Sequence, residues 1–547
     1  MSKPIPMKQF LFFLLICPLY ILAQFGNKDS PPESWKRDGQ WTDIKTIEVK
    51  ANESEIEKLK EIQHASYICA IAIQTQINFS DFTLAEILIN NDKVYRLRIN
   101  STEALGMMVM FENFKLEQGA KLWIYNSDKS YFAGMYSEKD NYQSNKEFLT
   151  SHVLGNEIIV EYIEPAMLKT PNFTIPKIYH YFRGLKSGSG NGFGQSASCM
   201  INANCAEGAN KSAARDATCR IKVTGPNFSG FCSGTLVNNT AEDKTPYVLT
   251  ANHCSAKSTL SDLINWEFDF LYQSATCFNP SVEPIPITFK GCTAPAYSGT
   301  DNGENSSDFL LLKLKSNLNT STYDFTFLGW DRSGGPHIGN YCFHHPNGDI
   351  KKISTSLDSA TLASYGGTVA NTHFSLKWTT TLGGRSVTDE GSSGSALVNS
   401  SGLLIGTLTG GSALCTNLDG IDFYGRLFMH WDKYGTASDR RLSPWLDPVN
   451  TGATNVRGLK LSGASASIST KTEIDPFQFR LNYNQLEVSW IETGYELRVY
   501  NSLGQQLTVK NTREKDMKLD LSSFSKGIYM IEARTDVNRE VVKISWD

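Results

Sequence analysis

The stretch 388–398 holds the residues best suited to nucleophilic chemistry. Within it, the run 391–395 (Gly-Ser-Ser-Gly-Ser) places small residues on both sides of a serine, a spacing that lets the Ser393 side chain project from a tight turn. Amides on either side of such a turn can converge on the atom that the serine oxygen attacks. We therefore interpret Ser393 as a nucleophile. Taken alone, these letters also fit an inert Gly/Ser loop between strands, because both residues are ordinary turn formers.

Two residues earlier in the chain, His253 and Asp308, are candidates for the general base and its carboxylate partner. The segment 246–254 indicates a strand that ends in a turn presenting His253, and Asp308 stands just before the apolar strand 309–314. A lone histidine is more often structural, and an aspartate beside a strand is often a turn cap. The order His253, Asp308, Ser393 favours catalysis over both alternatives. In it the serine attacks a carbonyl, the histidine takes and returns the proton, and the aspartate holds the imidazole tautomer.

Further groups complete the expected site. Backbone N–H groups of Gly391 and Ser393 would form an oxyanion hole. The segment 406–411 (Gly-Thr-Leu-Thr-Gly-Gly) is expected to be the strand that pairs with the substrate backbone, since its glycines leave room for an extended peptide. Its substrate-binding residues are Thr409, Gly410 and Gly411. The alternative is an ordinary Gly-rich strand.

Composition places these residues in an ordinary globular protein. The chain has 547 residues, a net charge of −4 and 20% charged residues, with no basic excess to suggest a nucleic-acid partner. Residues 1–24 match a secretory signal peptide, with two lysines ahead of the apolar run 10–22. That run is too short for a bilayer span, so no membrane span is expected in the mature form.

The elements around the site are predicted to be mainly strands. Residues 25–193 form a β-rich domain with one helix over 54–62. Residues 194–458 carry short strands separated by Gly, Asn, Ser and Pro turns, which is typical of barrels or sandwiches. Residues 459–474 are a Ser/Ala/Gly/Thr-rich linker. Residues 475–547 alternate with period two, which predicts a small antiparallel sandwich.

Nine of the 11 cysteines lie between Cys199 and Cys415. In an exported protein such clustering favours a disulfide framework over a metal site. An odd number leaves at least one thiol unpaired. No run of carboxylates demands a calcium ion, and no metal or cofactor is expected.

Together these stretches resemble the chymotrypsin-like serine proteases and, within them, the bacterial lysyl endopeptidases. The resemblance spans about residues 194–458 and is carried, in order, by 232–240, 249–254, 307–309, 329–332, 344–347, 391–395, 424–426 and 445–448. It implies a trypsin-like double β-barrel. It also implies three disulfides, Cys199–Cys415, Cys205–Cys277 and Cys232–Cys254. Cys292 and Cys342 lack partners in the family's pattern; we expect them to pair with each other and leave Cys219 free.

The resemblance implies lysine specificity. The family selects lysine with a buried acid after the substrate-binding strand, and the matching position is Asp422. A carboxylate at the bottom of a narrow pocket favours a cationic side chain and is left buried and unpaired when the substrate lacks one. Asp389 competes for this role because it is close to Ser393, and a solvated Asp422 on a barrel loop is the third possibility.

This chain departs from the family in two places. The family pairs a tryptophan with a histidine beside the active site, where this chain has Tyr365 and Thr409, and Thr409 could hydrogen-bond Asp308 instead. Ser392 stands where trypsin-like zymogens carry the aspartate that captures a new N-terminal ammonium. Ordering of the oxyanion loop must therefore depend on something other than that ion pair.

Residues 25–193 are expected to be a prodomain that assists folding or blocks the cleft. Its removal would need a cut between Lys186 and Gly194, within a flexible Gly/Ser stretch. An ordinary interdomain linker is the alternative for that stretch. A lysine-specific enzyme could cut after its own Lys186.

The last domain resembles the C-terminal sorting domain of Gram-negative type IX secretion. The matching segments are 497–504, 519–524, 527–529 and 541–544. The resemblance implies the type IX secretion machinery as a partner and a secreted or cell-surface location. An Ig-like module that binds sugar or protein is the alternative.

The expected fold is mainly β, with a trypsin-like double β-barrel protease domain between a β-rich prodomain and a C-terminal Ig-like β-sandwich. The expected function is that of a secreted serine endopeptidase acting on protein or peptide substrates after lysine. One alternative is a catalytically inactive, protease-like surface binding module. The other is a protease that prefers arginine or small residues.

Overall fold

The computed structural model covers most of the chain outside its first residues. It describes residues 24–26, 30–36, 44–61, 67–141, 147–166, 168, 171–184, 193–299, 305–318, 323–367, 369–463, 465–466, 477–482, 485–490, 494–501, 505–535 and 539–546. The expected signal peptide, except Gln24, lies outside the described residues. So do residues 186–192 of the predicted cut region, which runs from Lys186 to Gly194, and most of the linker after 466.

The described residues of the N-terminal region, 24–184, form one α-helix, three short 3-10 helices and twelve strands. Helix α1 is Glu53–Glu61, one residue earlier at each end than predicted. The strands are β1 (Gln24–Gly26), β2 (Thr46–Val49), β3 (Tyr67–Asn78), β4 (Thr83–Ile87), β5 (Lys93–Ser101), β6 (Gly106–Glu112), β7 (Lys121–Asn126), β8 (Tyr131–Tyr136), β9 (Phe148–Leu149), β10 (Val153–Leu154), β11 (Glu157–Glu164) and β12 (Thr174–Tyr181). One sheet has the order β1-β8-β7-β11-β5-β2, with β4 also on β5. The β-rich prediction is confirmed.

The middle region, residues 193–466, carries the expected site. Its helices are α2 (Ser212–Ala217), α3 (Leu427–Asp432) and α4 (Ser443–Leu446). Its strands are β13 (Ile201–Asn202), β14 (Thr218–Gly225), β15 (Phe228–Val237), β16 (Tyr247–Ala251), β17 (Glu267–Phe270), β18 (Ile287–Lys290), β19 (Cys292–Tyr297), β20 (Phe309–Leu314), β21 (Thr326–Phe327), β22 (Trp330–Asp331), β23 (Asn340–His344), β24 (Lys352–Ser356), β25 (Thr361–Ala363), β26 (His373–Leu376), β27 (Ala396–Val398), β28 (Leu404–Gly411), β29 (Asp422–Arg426), β30 (Asn455–Val456), β31 (Gly458–Lys460) and β32 (Ser465–Ala466).

These strands fall into two main sheets. Strands β14 to β20 belong to one, and β13 and β22 to β30 form the other, with central order β24-β23-β27-β28-β29-β26. One apolar cluster contains side chains of both sheets, and a second cluster lies within the sheet that contains β23 to β29. The mainly β prediction is confirmed. Closure of each sheet into a barrel stays a prediction.

The sheet that contains β14 to β20 extends into the N-terminal region. Strand β3 pairs with β12 on one side and with β15 on the other, in an antiparallel ladder from Ile71↔Phe228 to Tyr67↔Phe231. The Phe231 side chain is buried in the N-terminal core. The Tyr179 hydroxyl donates a hydrogen bond to the Gly225 carbonyl at 3.0 Å. The sequence predicted a β-rich domain over residues 25–193 but not that this region and the middle region share one 12-stranded sheet.

The C-terminal region, residues 477–546, has two facing sheets. Its strands are β33 (Phe477–Asn482), β34 (Gln485–Trp490), β35 (Tyr495–Asn501), β36 (Gln506–Thr512), β37 (Asp516–Asp520), β38 (Gly527–Arg534) and β39 (Arg539–Trp546). The orders are β33-β34-β37 and β36-β35-β38-β39, all antiparallel. Alternate side chains such as Leu497 and Val499 are buried between the sheets. The small antiparallel sandwich is confirmed.

The three implied disulfides, Cys199–Cys415, Cys205–Cys277 and Cys232–Cys254, are present. The expected Cys292–Cys342 pair is wrong, because the two thiols are free and buried in different apolar clusters. Cys219 is free, as expected, and Cys69 is free as well.

No helix in the ranges given above is long and apolar enough to cross a membrane. Among the described side chains, no group of three or more His, Cys, Asp or Glu is arranged to hold a metal ion.

Candidate active site

His253 and Asp308 are in direct contact beyond the ends of two neighbouring strands. Strand β16 ends at Ala251, which pairs with Phe309 at the start of β20, so the flanking residues meet. His253 Nδ1 lies 2.6 Å from Asp308 Oδ2, and the His253 N–H donates to Asp308 Oδ1 at 2.9 Å. Because a carboxylate only accepts hydrogen bonds, Nδ1 carries the hydrogen and Nε2 is left as the basic nitrogen.

The surroundings of this pair favour a reactive imidazole. His253 Nε2 is buried and has no hydrogen-bond partner within the described part of the chain. Asp308 is fully buried with a φ of 58°, the left-handed region, which costs a non-glycine residue about 1–3 kcal/mol. Its carbonyl accepts the Asn252 N–H at 3.0 Å, which helps to hold this conformation. Strain of this kind clusters at functional sites.

The Ser393 turn packs against the same strand end. A Cβ on Gly394 would lie 2.0 Å from Thr250 Oγ1, so only glycine permits this approach. The Ser393 carbonyl accepts the Ser233 N–H at 2.8 Å and lies 4.0 Å from Cys254 Sγ. The turn is therefore beside the histidine–aspartate pair, and the structure brings the three predicted residues to one place.

Uncharged hydrogen bonds hold the residues that precede Ser393. Ser392 Oγ lies 2.7 Å from His344 Nδ1 and accepts the Asp389 N–H at 3.1 Å. Complete burial lowers the pKa of His344 to about 3, so this imidazole is neutral at ordinary pH. The Gly391 carbonyl accepts the Ser233 hydroxyl at 2.9 Å. Ser392 is thus held by a neutral partner, in line with an oxyanion loop that needs no ion pair at this position.

Asp422 is a buried carboxylate in contact with the same loop. Its Oδ2 accepts hydrogen bonds from Trp378 Nε1 and Thr388 Oγ1, both at 2.6 Å. Its Oδ1 is buried and has no hydrogen-bond partner among the described residues. Burial raises the pKa of Asp422 to about 6, although hydrogen bonding by Thr388, Trp378 and the Ala413 backbone opposes the rise. A Cβ on Gly411 would lie 2.1 Å from Oδ1, so only glycine fits beside that oxygen.

Asp389 is placed differently. It is half-buried, its Oδ1 accepts the Glu390 N–H at 2.8 Å, and its Oδ2 lies 3.4 Å from Asn347 Nδ2. Burial raises the pKa of this carboxyl too. Both oxygens have a protein partner, whereas Asp422 keeps one buried oxygen that lacks a donor. This contrast favours Asp422 as the group that meets a cationic side chain.

The predicted substrate strand is β28. Gly410 and Gly411 pair with β29, opposite Phe423 and Asp422. On the other side, the ladder with β27 reaches only Thr407. Among the described strands, residues 409–411 therefore have one free edge, which suits an added peptide strand.

Thr409 does not contact Asp308, so that expectation is wrong. Its Oγ1 lies 2.9 Å from His373 Nε2 on β26, and both Asp308 oxygens are engaged by His253. The Tyr365 ring is 5.4 Å from the His373 ring. The departure from the family's pair is a three-residue cluster of Tyr365, His373 and Thr409.

Sequence reasoning missed four residues that shape this site: Trp378, Thr388, His373 and Glu390. Thr388 lies within the stretch 388–398, and its hydroxyl close to the candidate nucleophile could have indicated its role. Trp378 and His373 had none, because their positions follow from the pairing of β26 with β29, in which Leu376 is opposite Asp422.

Comparison with known families adds two matches. Residues 193–425 match the family described as lysyl endopeptidase, C-terminal domain. Residues 482–545 match the secretion system C-terminal sorting domain. The second match indicates an exported chain whose tail directs its sorting.

A curated lysyl endopeptidase from Pseudomonas aeruginosa is 27% identical over 289 residues, which cover 50% of this chain and 58% of that protein. This chain therefore spans less than two thirds of that relative's length. Among solved structures, the thermostable serine protease AL20 from an extremophilic microorganism is 16% identical, with a TM-score of 0.28, covering 39% of this chain and 92% of the other. Protease Anisep from Arthrobacter nicotinovorans is 17% identical, with a TM-score of 0.28, covering 41% and 92%.

Proposed function

We propose that this chain, which carries a lysyl endopeptidase C-terminal domain over residues 193–425, is an exported serine endopeptidase that cuts peptide bonds after lysine. The observation that carries the proposal is the buried His253–Asp308 pair, with an unpartnered Nε2, beside the Ser393 turn. A binding module has no use for this arrangement.

The reaction follows from the roles of the three side chains. Ser393 Oγ attacks the peptide carbonyl carbon while His253 Nε2 takes its proton, and Asp308 stabilises the imidazolium. The N–H groups of Gly391 and Ser393 receive the oxyanion, with roughly 3–4 kcal/mol of transition-state stabilisation from one donor. The imidazolium then protonates the leaving amine. Water repeats the sequence on the acyl-enzyme and releases the carboxylate product.

Lysine selection follows from the state of Asp422. One of its oxygens is buried without a donor, and an ammonium group on the substrate would supply that donor together with a charge. A neutral side chain would leave the carboxyl unpaired, which costs more than the missing contact alone. The positive charge of a bound lysine would also lower the pKa of Asp422, which burial raises, and would keep the carboxylate ionised.

A panel of chromogenic peptides that differ only in the residue before the cut tests this function. We expect the processed enzyme to cut Lys faster than Arg, and to cut Ala about 10²- to 10³-fold more slowly, the range for loss of a buried charge pair. Ser393→Ala protein supplies the blank. Equal rates on Lys and Ala would refute the acidic pocket, and rates no higher than the blank would favour the binding module.

Residues 25–193 act as a prodomain in this proposal, because β3 extends the sheet of the middle region and covers β15. N-terminal sequencing of the secreted enzyme is expected to find a start between 187 and 194. A start near residue 25 would rule out removal of this region.

The C-terminal sandwich is proposed to engage the type IX secretion machinery, since residues 482–545 match a sorting domain. The alternating strands β33 to β39 supply a compact recognition module at the end of the chain.

A further inference from the structure

A cationic side chain of the N-terminal region lies against the loop that would form the oxyanion hole. Arg183 Nη2 is 3.6 Å from Glu390 Oε2, and Glu390 directly precedes Gly391. From this contact we infer a second acidic subsite, in which Glu390 binds a cationic side chain of the substrate beside the scissile bond and Arg183 fills that place in the full chain. The inference deepens the proposed endopeptidase function and rests on it.

Arg183 is held by its own region. Its Nε donates to the Ile68 carbonyl at 2.7 Å, and its guanidinium lies over the Tyr67 ring at 4.4 Å. Tyr67 is the first residue of β3 and pairs with Phe231 of β15. The shared sheet therefore sets the position of the guanidinium relative to the loop. Removal of the N-terminal region takes this cation away as a unit.

Glu390 stays with the enzyme, and its backbone is fixed. Its carbonyl accepts the Asn347 N–H at 2.6 Å, and its N–H donates to Asp389 Oδ1 at 2.8 Å. Because Glu390 directly precedes Gly391 of the proposed oxyanion hole, the inferred subsite lies next to the reacting carbonyl. In the full chain the Glu390 side chain is only 15% exposed, and the Arg183 guanidinium is in contact with it.

The negative charge around Glu390 favours binding of a substrate cation there after Arg183 has been removed. Asp389 and Asp422 lie within the same loop network, so removal of Arg183 leaves the cleft more negative. An arginine or lysine of the substrate can then take the place of the departed guanidinium. Such a pair is partly solvated, and pairs of this kind contribute at most about 1 kcal/mol, a selectivity of roughly two- to fivefold.

Peptides with a fixed lysine before the cut test this inference on the processed enzyme. Three positions are varied one at a time: the residue before the fixed lysine and the two residues after the scissile bond. Each carries Arg, Ala or Glu in turn. We expect at least one position where Arg raises kcat/KM two- to fivefold over Ala and Glu lowers it. Glu390→Gln is expected to equalise the three peptides at that position. Asp432→Asn, which changes an exposed acid on α3, should keep the preference.

The outcomes separate this inference from the function on which it rests. No cleavage of the all-Ala-flanked lysine peptide would overturn the endopeptidase assignment itself. Cleavage without any preference for Arg, or a preference that survives in Glu390→Gln, would overturn the Glu390 subsite alone.

Discussion

Replacing Ser393 with alanine is expected to lower kcat on a lysine peptide by roughly 10⁴- to 10⁶-fold, because the covalent route is lost while binding groups remain. The residual rate should come from the oxyanion hole and from substrate positioning. Stopped-flow assays would measure the fast reaction of the processed parent enzyme, and long-time assays would measure the residual rate of the variant. An acyl-enzyme burst should be present in the parent and absent in the variant.

Two controls sharpen this result. The exposed Ser401 lies in the turn after β27, and Ser401→Ala should leave kcat unchanged. Adding His253→Ala to Ser393→Ala should lower the rate little further, since a base has no role without its nucleophile. Near-normal activity in Ser393→Ala would mean that another group attacks the carbonyl.

Asp422→Asn is expected to lower kcat/KM for lysine peptides by about 10²- to 10³-fold, because an ammonium group in the pocket loses its counter-charge. Cleavage after a neutral residue should not fall, since no ionised carboxylate then lies unpaired. Asp389→Asn is the matched control and should retain the lysine preference. Loss of that preference in Asp389→Asn, or its survival in Asp422→Asn, would assign the pocket to the other carboxylate.

The pH dependence supplies an independent signature of Asp422. Burial raises the pKa of this carboxyl to about 6, so it becomes protonated as pH falls through that value. The ratio of kcat/KM for Lys over a neutral residue should therefore rise between pH 5 and 7 in the parent and stay flat in Asp422→Asn. His253 serves both substrates, so its titration cancels in the ratio.

Stability should move in the opposite direction. A carboxyl with a raised folded-state pKa costs stability when ionised, and this cost is absent below pH 3.8 and complete above about pH 6. Asp422→Asn should thus unfold less readily at pH 7, by on the order of 3 kcal/mol at most. Thermal or chemical unfolding of the variant would measure this gain, and its observation would exclude misfolding as the cause of lost activity.

The placement of Ser393, His253 and Asp308, the proposed catalytic residues, was predictable because short-range rules govern it. A glycine-flanked serine needs a tight turn, and His253 and Asp308 each stand next to a strand whose composition is apolar and β-branched or aromatic. Strand pairing then brings the two together at Ala251 and Phe309. Local composition and one long-range pairing were enough for this part of the site.

The features that the sequence predicted wrongly or missed all depend on which face or edge a strand presents to its neighbours. Thr409 turns to His373 because of the register between β28, β29 and β26, which no local pattern specifies. Cys292 and Cys342 are on strands of different clusters, so spacing along the chain said nothing of their separation. The pairing of β3 with β15 joins two edges whose backbone groups are the same in any strand.

The shared sheet has a consequence for how the enzyme reaches and keeps its structure. Cys69 and Ser229 meet across β3 and β15 although they are 160 residues apart, and contacts of such separation form slowly. The N-terminal region is synthesised first, so its β3 edge is in place when β15 arrives. Under the proposed removal of that region, an unfolded enzyme would have to fold without this edge. We then expect the processed form to be protected by the height of its unfolding barrier, so that its durability is a half-life, measured as a rate of inactivation.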